Sequence, residues 1–229
     1  MELVIKNIPN CLADASNVSR LMDTHGIEWN EMGCHNWSES YPYKPKALFR
    51  VAHSDRQIFI QYAIEEMSIR AVAASDNGPV WEDSCCEFFI APQDDGIYYN
   101  MECNCIGTLL IGTGKGRDNR LLATPDILQQ VKRWTTLERK PTALQKGIFR
   151  WQLALIIPIE AFFLHPMENL SGMTMKCNFY KCGDKLSEPH FLSWSPIASS
   201  TPDFHRIDCF APCVFIPNRS LEKSNSNDL

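Results

Sequence analysis

The sequence has no excess of positive charge and no long hydrophobic segment. Its 229 residues include 22 Lys and Arg against 27 Asp and Glu, which gives a formal net charge of −5. Proteins that bind nucleic-acid backbones carry concentrated positive charge, so that class is not predicted. The longest apolar stretches, 151–159 and 161–164, are interrupted by Gln152, Pro158 and Glu160. A membrane-spanning helix needs about 20 apolar residues, so no membrane span is predicted either.

The N-terminus lacks the features of a secretory signal. The segment Met1–Lys6 contains no positively charged stretch that is followed by an apolar one. We therefore expect a cytoplasmic protein, or an extracytoplasmic one if a leader has been removed. In a reducing compartment the ten cysteines are expected to be mainly free thiols. The sequence leaves the oligomeric state open.

Motifs for metal, phosphate and nucleophilic chemistry are also missing. The chain has no HExxH motif, no Gly-x-Ser-x-Gly turn and no tight Cys-x-x-Cys pair. In the glycine-rich segment 112–116 the Gly-Lys pair is followed by Gly116 and then Arg117 instead of the Ser or Thr that opens the helix of a phosphate-binding loop, so we interpret it as a loop between strands. No cofactor is therefore assigned, although the carboxylates between residues 82 and 102 leave a structural Ca²⁺ ion open.

What the sequence does contain is a succession of short segments with the alternation of β-strands. Segments 47–53 and 57–64 are joined by a short polar turn, which predicts a hairpin. In segment 147–157 apolar residues recur at every second position. Further strands are predicted at 68–74, 85–90, 98–105, 173–180 and 209–216. The pattern predicts an all-β fold, a two-sheet antiparallel β-sandwich of the immunoglobulin-like or jelly-roll-like kind.

Little of the chain is predicted to lie outside this sandwich. Segments 126–131 and 158–163 are each typical of a short helix, and the second begins at a proline. No linker divides the chain, so residues 1–216 are expected to form a single domain. Residues 217–229 are mostly polar and predict a disordered tail.

Two blocks of aromatic and polar residues interrupt the simple alternation. The first runs over 80–90 and continues in 98–104, whereas the second comprises 178–184, 190–196 and 204–206. Trp81 in the first block and Trp194 in the second stand beside turn residues rather than inside apolar runs. Such rings can cover the apolar face of a sugar, while carboxylate and amide groups bind its hydroxyls.

These two blocks resemble the family 9 carbohydrate-binding modules, and most closely the family 9-like proteins of Bacteroidetes. The segment Trp-Glu-Asp-Ser-x-x-Glu-x-Phe-Ile at 81–90 is similar to a loop and strand of that family. Ser-Trp-Ser-Pro at 193–196 and Phe-His-Arg at 204–206 are similar to its C-terminal part. The resemblance covers residues 40–215. It implies an antiparallel β-sandwich related to the DOMON superfamily that binds an oligosaccharide or polysaccharide without catalysis, in association with glycan breakdown.

The resemblance also implies site residues. Trp81 and Trp194 correspond to the two tryptophans that hold a sugar between them, and Glu87 corresponds to a carboxylate that accepts hydroxyl hydrogen bonds. Arg117 or Arg120 stands for a basic residue of the family. A polar residue is expected shortly before the second tryptophan, where this chain has Phe191 and Leu192.

Other interpretations of the same residues remain open. Trp37, close to Tyr41 and Tyr43, is a third candidate for an aromatic platform. Glu87 and Glu102 lie on strands predicted to be neighbours and are candidates for the two carboxylates of a glycoside hydrolase. A haem-binding domain of the DOMON kind is a further alternative, with Met101 and His190 as ligands. We favour binding over catalysis.

Overall fold

The computed structural model describes residues 1–8 and 14–217, and these form thirteen β-strands and two short α-helices. The predicted polar tail lies outside the described residues, apart from Pro217. The helices are α1 (Val18–Thr24) and α2 (Pro125–Gln130). The strands are β1 (Leu3–Asn7), β2 (Asn30–Glu31), β3 (Lys46–His53), β4 (Gln57–Ala71), β5 (Cys85–Ala91), β6 (Tyr98–Asn104), β7 (Leu109–Gly114), β8 (Leu121–Leu122), β9 (Lys132–Thr135), β10 (Thr142–Pro158), β11 (Thr174–Cys182), β12 (Phe191–Ser193) and β13 (Ala211–Phe215).

The strands form two packed sheets, as the alternation predicted. The front sheet has the order β8-β7-β6-β5-β11-β13, and β12 pairs with the end of β11. The back sheet has the order β3-β4-β10-β9, and β2 pairs with β3. The prediction of a two-sheet β-sandwich is confirmed.

One strand departs from the predicted antiparallel arrangement. Leu3–Ile5 of β1 pair with β13 of the front sheet, and Lys6 and Asn7 pair with β3 of the back sheet. Both pairings are parallel, whereas all other strand pairs of the described residues are antiparallel. The strand was not predicted because no turn joins it to either neighbour. It connects the two sheets at one edge.

The predicted hairpin of the back sheet is present, but its second strand is longer than predicted. β4 continues without a break from Gln57 to Ala71, so the separate strand predicted at 68–74 begins as the last part of β4. Residues 65–67 contain no Gly, Pro or Asn that would start a turn. β10 pairs with β4 over nearly its whole length, with one register shift between Thr142 and Gln145 and another between Lys146 and Phe149.

The core lies between the sheets and is centred on aromatic rings. Phe49 of β3 stacks on Phe179 of β11 with ring centroids 3.8 Å apart, and Phe88 of β5 lies 4.7 Å from the same ring. All three side chains are fully buried. Contact between inward-facing residues of two sheets is what holds a sandwich together.

Helix α1 was not predicted from the sequence. Its residues Val18, Leu21 and Met22 are buried against the outer face of the back sheet, in a cluster that includes Phe59 and Ile156. Helix α2 matches the predicted segment 126–131, and Ile159–Ala161 within 158–163 form a single 3-10 turn. In the part of the chain that the structure describes, no helix is long and apolar enough to cross a membrane.

Candidate functional site

A cavity of about 590 Å³ lies over the outer face of the front sheet. Side chains of a strand alternate between the two faces of its sheet, so Cys86 and Phe88 of β5 point into the core while Glu87 and Phe89 point outwards. The pairing of β5 with β6 and β11 brings the outward residues of three strands together. Glu87 is directly opposite Glu102 of β6.

The side of the cavity that carries Trp81 is formed by a single 3-10 turn, Val80–Glu82. The indole is 40% exposed. The buried Asp83 carboxylate holds the turn in place, because it accepts hydrogen bonds from Arg70 at 2.6 Å and from the backbone N–H of Val72 at 3.0 Å. An exposed ring on a rigid support is available to stack on a ligand.

Aromatic residues from three loop or edge segments form another wall. Tyr41 meets Phe191 edge to face with centroids 4.8 Å apart, and Phe204 stacks on Tyr180 at 4.2 Å. Trp37 lies behind this wall. Its ring is buried and makes an edge contact with Phe191, and its indole N–H donates to a backbone carbonyl.

Arginine side chains organise the polar part of the cavity. The guanidinium of Arg120 donates to Asn100 Oδ1 at 2.7 Å and to the backbone carbonyl of Tyr98 at 2.9 Å. Asn100 in turn donates to Glu102 Oε1 at 2.8 Å. Arg117 pairs with Asp203 at 3.2 Å. These successive hydrogen bonds, from Arg120 to Asn100 and from Asn100 to Glu102, fix the orientation of the Glu102 carboxyl group.

The carboxyl groups of the cavity have raised pKa values. Burial raises the pKa of Glu102 to about 7, and it raises the pKa of Glu87 well above its usual range. Burial and the nearby Glu82 carboxylate raise the pKa of Asp184 to about 6. Glu102 Oε2 is buried and has no hydrogen-bond partner among the described residues. We call Glu87, Asn100 and Glu102 the floor of the cavity. A protonated carboxyl group can donate a hydrogen bond as well as accept one, so this floor suits a ligand with many hydroxyl groups.

A neutral histidine lies on the same side as Phe204. Burial and the charges of Arg120 and Arg117 lower the pKa of His205 to about 4. Burial raises the pKa of Tyr98 to about 12, so its hydroxyl stays protonated and can donate to Nδ1 of the neutral His205 ring at 2.7 Å. In that arrangement His205 carries its proton on Nε2.

Gly112 of β7 is required by the contact between Arg120 and Asn100. A Cβ atom at this position would lie 2.7 Å from Asn100 Oδ1 and 3.3 Å from Arg120 Nε. We expect Gly112→Ala to separate this pair and to lower the free energy of unfolding by about 1–3 kcal/mol. Gly116→Ala is the matched control, because a Cβ there meets nothing within 4 Å. Equal urea midpoints for the two variants would contradict the role given to Gly112.

The structure brings four of the six predicted site residues to the cavity. Trp81, Glu87, Arg117 and Arg120 all line it. Trp37 does not line it and supports the wall from behind. The predicted alternative Glu102 is also part of the floor.

Trp194 is not at the surface where the sequence analysis placed it. Its side chain is 6% exposed and meets Phe49 of the core edge to face. The reason is the alternation of β12. Phe191 and Ser193 share the outer face with Cys182 and Tyr180, so Leu192 points inwards, and Trp194 continues that inward alternation. The aromatic residue that this segment contributes to the cavity is Phe191.

Several lining residues were not predicted. Tyr41, Phe204, His205 and Asp184 come from loops far apart in the chain, and no local pattern indicates that loops will meet. Phe191 appeared in the sequence analysis only as a departure from the family pattern. Because side chains alternate along a strand, residues 191 and 194 lie on opposite faces of the sheet, and this would have placed Phe191 rather than Trp194 at the cavity.

The residues proposed for haem do not form a ligand pair. Met101 lies on the inner face of β6 and packs in the core. His190 is fully buried, with Nε2 2.9 Å from Lys181 Nζ and Nδ1 2.9 Å from the carbonyl oxygen of Glu188. Both ring nitrogens are therefore engaged by the protein.

Comparison with solved structures finds proteins of similar fold. A crystal structure of a candidate carbohydrate-binding protein from Bacteroides uniformis is 46% identical, covers 93% of this chain and 98% of its own, and has a TM-score of 0.90. A family 9 carbohydrate-binding module from Caldicellulosiruptor kristjanssonii, solved with glucose and with cellotriose, shares the fold at 12% identity. Its TM-score is 0.56 in both complexes, which cover 95% of this chain and 97% and 95% of theirs.

A search of proteins with curated functions finds no match. The model of carbohydrate-binding family 9, in contrast, matches residues 16–215. Since that match spans most of the sequence, the chain belongs to carbohydrate-binding family 9 and is a carbohydrate-binding protein.

Proposed function

We propose that the cavity on the front sheet is the carbohydrate site and that it binds glucose or the end of a short β-linked glucan without cleaving it. Its volume of about 590 Å³ lies within the range of about 300–1,000 Å³ that is usual for small-ligand sites. A space of this size suits a short oligosaccharide better than a long polysaccharide segment. The distant structural relative that was solved with glucose and cellotriose supports this class of ligand.

The observation that carries the proposal is the combination of aromatic walls with a floor of carboxyl and amide groups. Trp81 on one side and Phe191 and Phe204 on another offer ring surfaces for the C–H faces of a pyranose. Glu102 and Asn100 offer both donors and acceptors to its hydroxyls. Glu102 Oε2 is buried without a hydrogen-bond partner, which is unfavourable, and a hydrogen bond with a ligand hydroxyl would remove this cost.

The same floor argues against hydrolysis. Glycoside hydrolases place two carboxyl groups on either side of the scissile bond, one to protonate the leaving group and one to attack or to activate water. Glu87 and Glu102 are directly opposite each other on adjacent strands and both rise from one face of the sheet. They approach a ligand from the same side, so we propose that they do not act as the two carboxyl groups of a hydrolase.

The test is the loss of binding when the exposed ring is removed. We expect Trp81→Ala to weaken the binding of glucose, cellobiose or cellotriose by at least about 1 kcal/mol, roughly fivefold, in titration calorimetry. The melting temperature should change little because the ring is 40% exposed. Trp29→Ala is the matched control, since Trp29 is 38% exposed and does not line the cavity.

Three results would contradict parts of this assignment. If Trp81→Ala binds as tightly as the parent, the cavity is not the site. If the parent binds none of the three sugars but does bind another glycan through Trp81, the site is right and the proposed ligand is wrong. Release of glucose from cellotriose by the parent would show catalysis.

A further inference from the structure

Three side chains with metal-binding atoms meet beside the cavity, and two of them, Glu87 and Cys182, line it. Cys85 of β5 and Cys182 of β11 are directly opposite each other across the two strands, and Glu87 follows two residues after Cys85 on the same face. The two sulfur atoms and a carboxylate oxygen all lie within 4.8 Å of one another. Cys182 Sγ is 2.9 Å from Glu87 Oε1. Within residues 1–8 and 14–217, this is the one group of three such side chains.

The spacing fits a single tetrahedral ion. Zinc binds thiolate sulfur at about 2.3 Å and carboxylate oxygen at about 2.0–2.2 Å, so neighbouring ligand atoms lie just under 4 Å apart around the ion. The three observed atoms all lie within 4.8 Å of one another, and the 2.9 Å between Cys182 Sγ and Glu87 Oε1 has to widen as both atoms bind the ion. Two sulfurs and one oxygen favour zinc over the oxygen-seeking Ca²⁺ and Mg²⁺.

The charge around Glu87 also favours a cation. Glu87 is 2% exposed, and its hydrogen-bond partner is a thiol rather than a basic group. Among the described residues neither Glu87 nor Glu102 forms an ion pair. The guanidinium of Arg120 is held by Asn100 and by backbone carbonyls. A buried carboxylate without a positive partner is costly, and a bound divalent ion supplies one.

The other paired cysteines lack these features. Cys86 and Cys103 are directly opposite each other on β5 and β6, but both face the apolar core. Cys177 and Cys213 are likewise buried among core side chains. Among the described residues, only the outer-face pair combines two thiols with a carboxylate that lines a cavity.

We propose that Cys85, Cys182 and Glu87 form a zinc site beside the cavity. The two thiols and the protonated Glu87 carboxyl group each release a proton to solvent as they bind the ion. Three protein ligands leave the fourth tetrahedral position for a water molecule or for a ligand hydroxyl that enters the cavity. The proposal does not depend on which sugar the cavity binds, because it rests on the protein ligands alone.

Cobalt titration of the metal-free, reduced protein tests the site. Co²⁺ replaces zinc in tetrahedral thiolate sites and has visible absorption bands there, together with a thiolate-to-cobalt charge-transfer band. We expect both to appear and to saturate at one ion per chain, and we expect added Zn²⁺ to abolish them. A folded, reduced parent that develops no charge-transfer band overturns the proposal.

Variants assign the ligands. Cys182→Ser and Glu87→Gln are each expected to weaken cobalt binding at least tenfold, and Cys182→Ser also reduces the charge-transfer intensity. Cys209→Ser is the control, since Cys209 is a free, partly buried thiol outside the site. Glu87→Gln preserves side-chain volume, so it serves if Cys182→Ser fails to fold. Unchanged cobalt binding in a folded Glu87→Gln protein excludes the carboxylate ligand and with it the proposed site.

Discussion

Replacing Lys181 with Met is expected to lower the free energy of unfolding by about 3–5 kcal/mol. Lys181 Nζ lies 2.9 Å from Glu66 Oε2, and neither side chain has any exposed surface. The ammonium group also donates to the carbonyl oxygen of Cys182 at 2.8 Å and meets His190 Nε2 at 2.9 Å. Because Lys181 is on β11 and Glu66 is on β4, this ion pair joins the two sheets inside the core.

The large effect comes from the partner that is left behind. Methionine fills much of the space of the lysine stem, but Glu66 would then be a buried carboxylate without a cation. Burial lowers the pKa of Lys181, but the Glu66 carboxylate and the neighbouring cysteines together raise it by more. The pKa of Lys181 therefore lies above its usual value, and the ammonium group stays charged. Glu66 also accepts a hydrogen bond from the Trp151 indole at 2.7 Å.

A second variant separates lost charge from lost packing. Glu66→Gln keeps an oxygen acceptor for Trp151 while removing the charge, so Lys181→Met combined with Glu66→Gln should be more stable than Lys181→Met alone. Urea unfolding with equal m-values measures the difference. Two single effects that simply add in the double variant would show that the ion pair contributes no coupling across the sheets.

Much of the fold could be predicted because its signals are local. The hairpin of β3 and β4 depends on a polar turn at 54–56 between two alternating segments, and both signals lie within a few residues of each other. β1 depends instead on two partners distant in the chain, β13 and β3. Its five residues do not distinguish a strand from an extended end, so the parallel connection could not be predicted.

The site was predictable only where its residues belong to one continuous segment of the sequence. Glu87 and Trp81 were identified because they belong to one continuous block that resembles the family. The other aromatic wall depends on contacts between loops. Phe204 packs against Trp37 and Tyr180, and Tyr41 packs against Phe191. Contacts of that kind have no counterpart in the local sequence. The candidate zinc ligands are similar, since Cys85 and Cys182 become neighbours only through the pairing of β5 with β11.

Trp194→Ala is expected to behave in the opposite way to Trp81→Ala. The Trp194 ring is 6% exposed, and its backbone N–H donates to the carbonyl of Phe179 at 2.9 Å, which continues the pairing of β12 with β11 beyond Ser193. Removing the indole leaves a large cavity beside Phe49, so the free energy of unfolding should fall by about 3–5 kcal/mol.

The affinity of the folded fraction for sugar should change little in this variant, because Trp194 does not line the cavity. Calorimetry below the melting temperature and urea unfolding of the same preparations separate the two effects. Trp194→Phe provides the control, since a smaller ring refills part of the space and should recover part of the lost stability. If Trp194→Ala unfolds like the parent but no longer binds sugar, Trp194 is a ligand-binding residue and not a core residue. Loss of stability with retained binding instead leaves Phe191 as the residue through which this segment contacts the ligand.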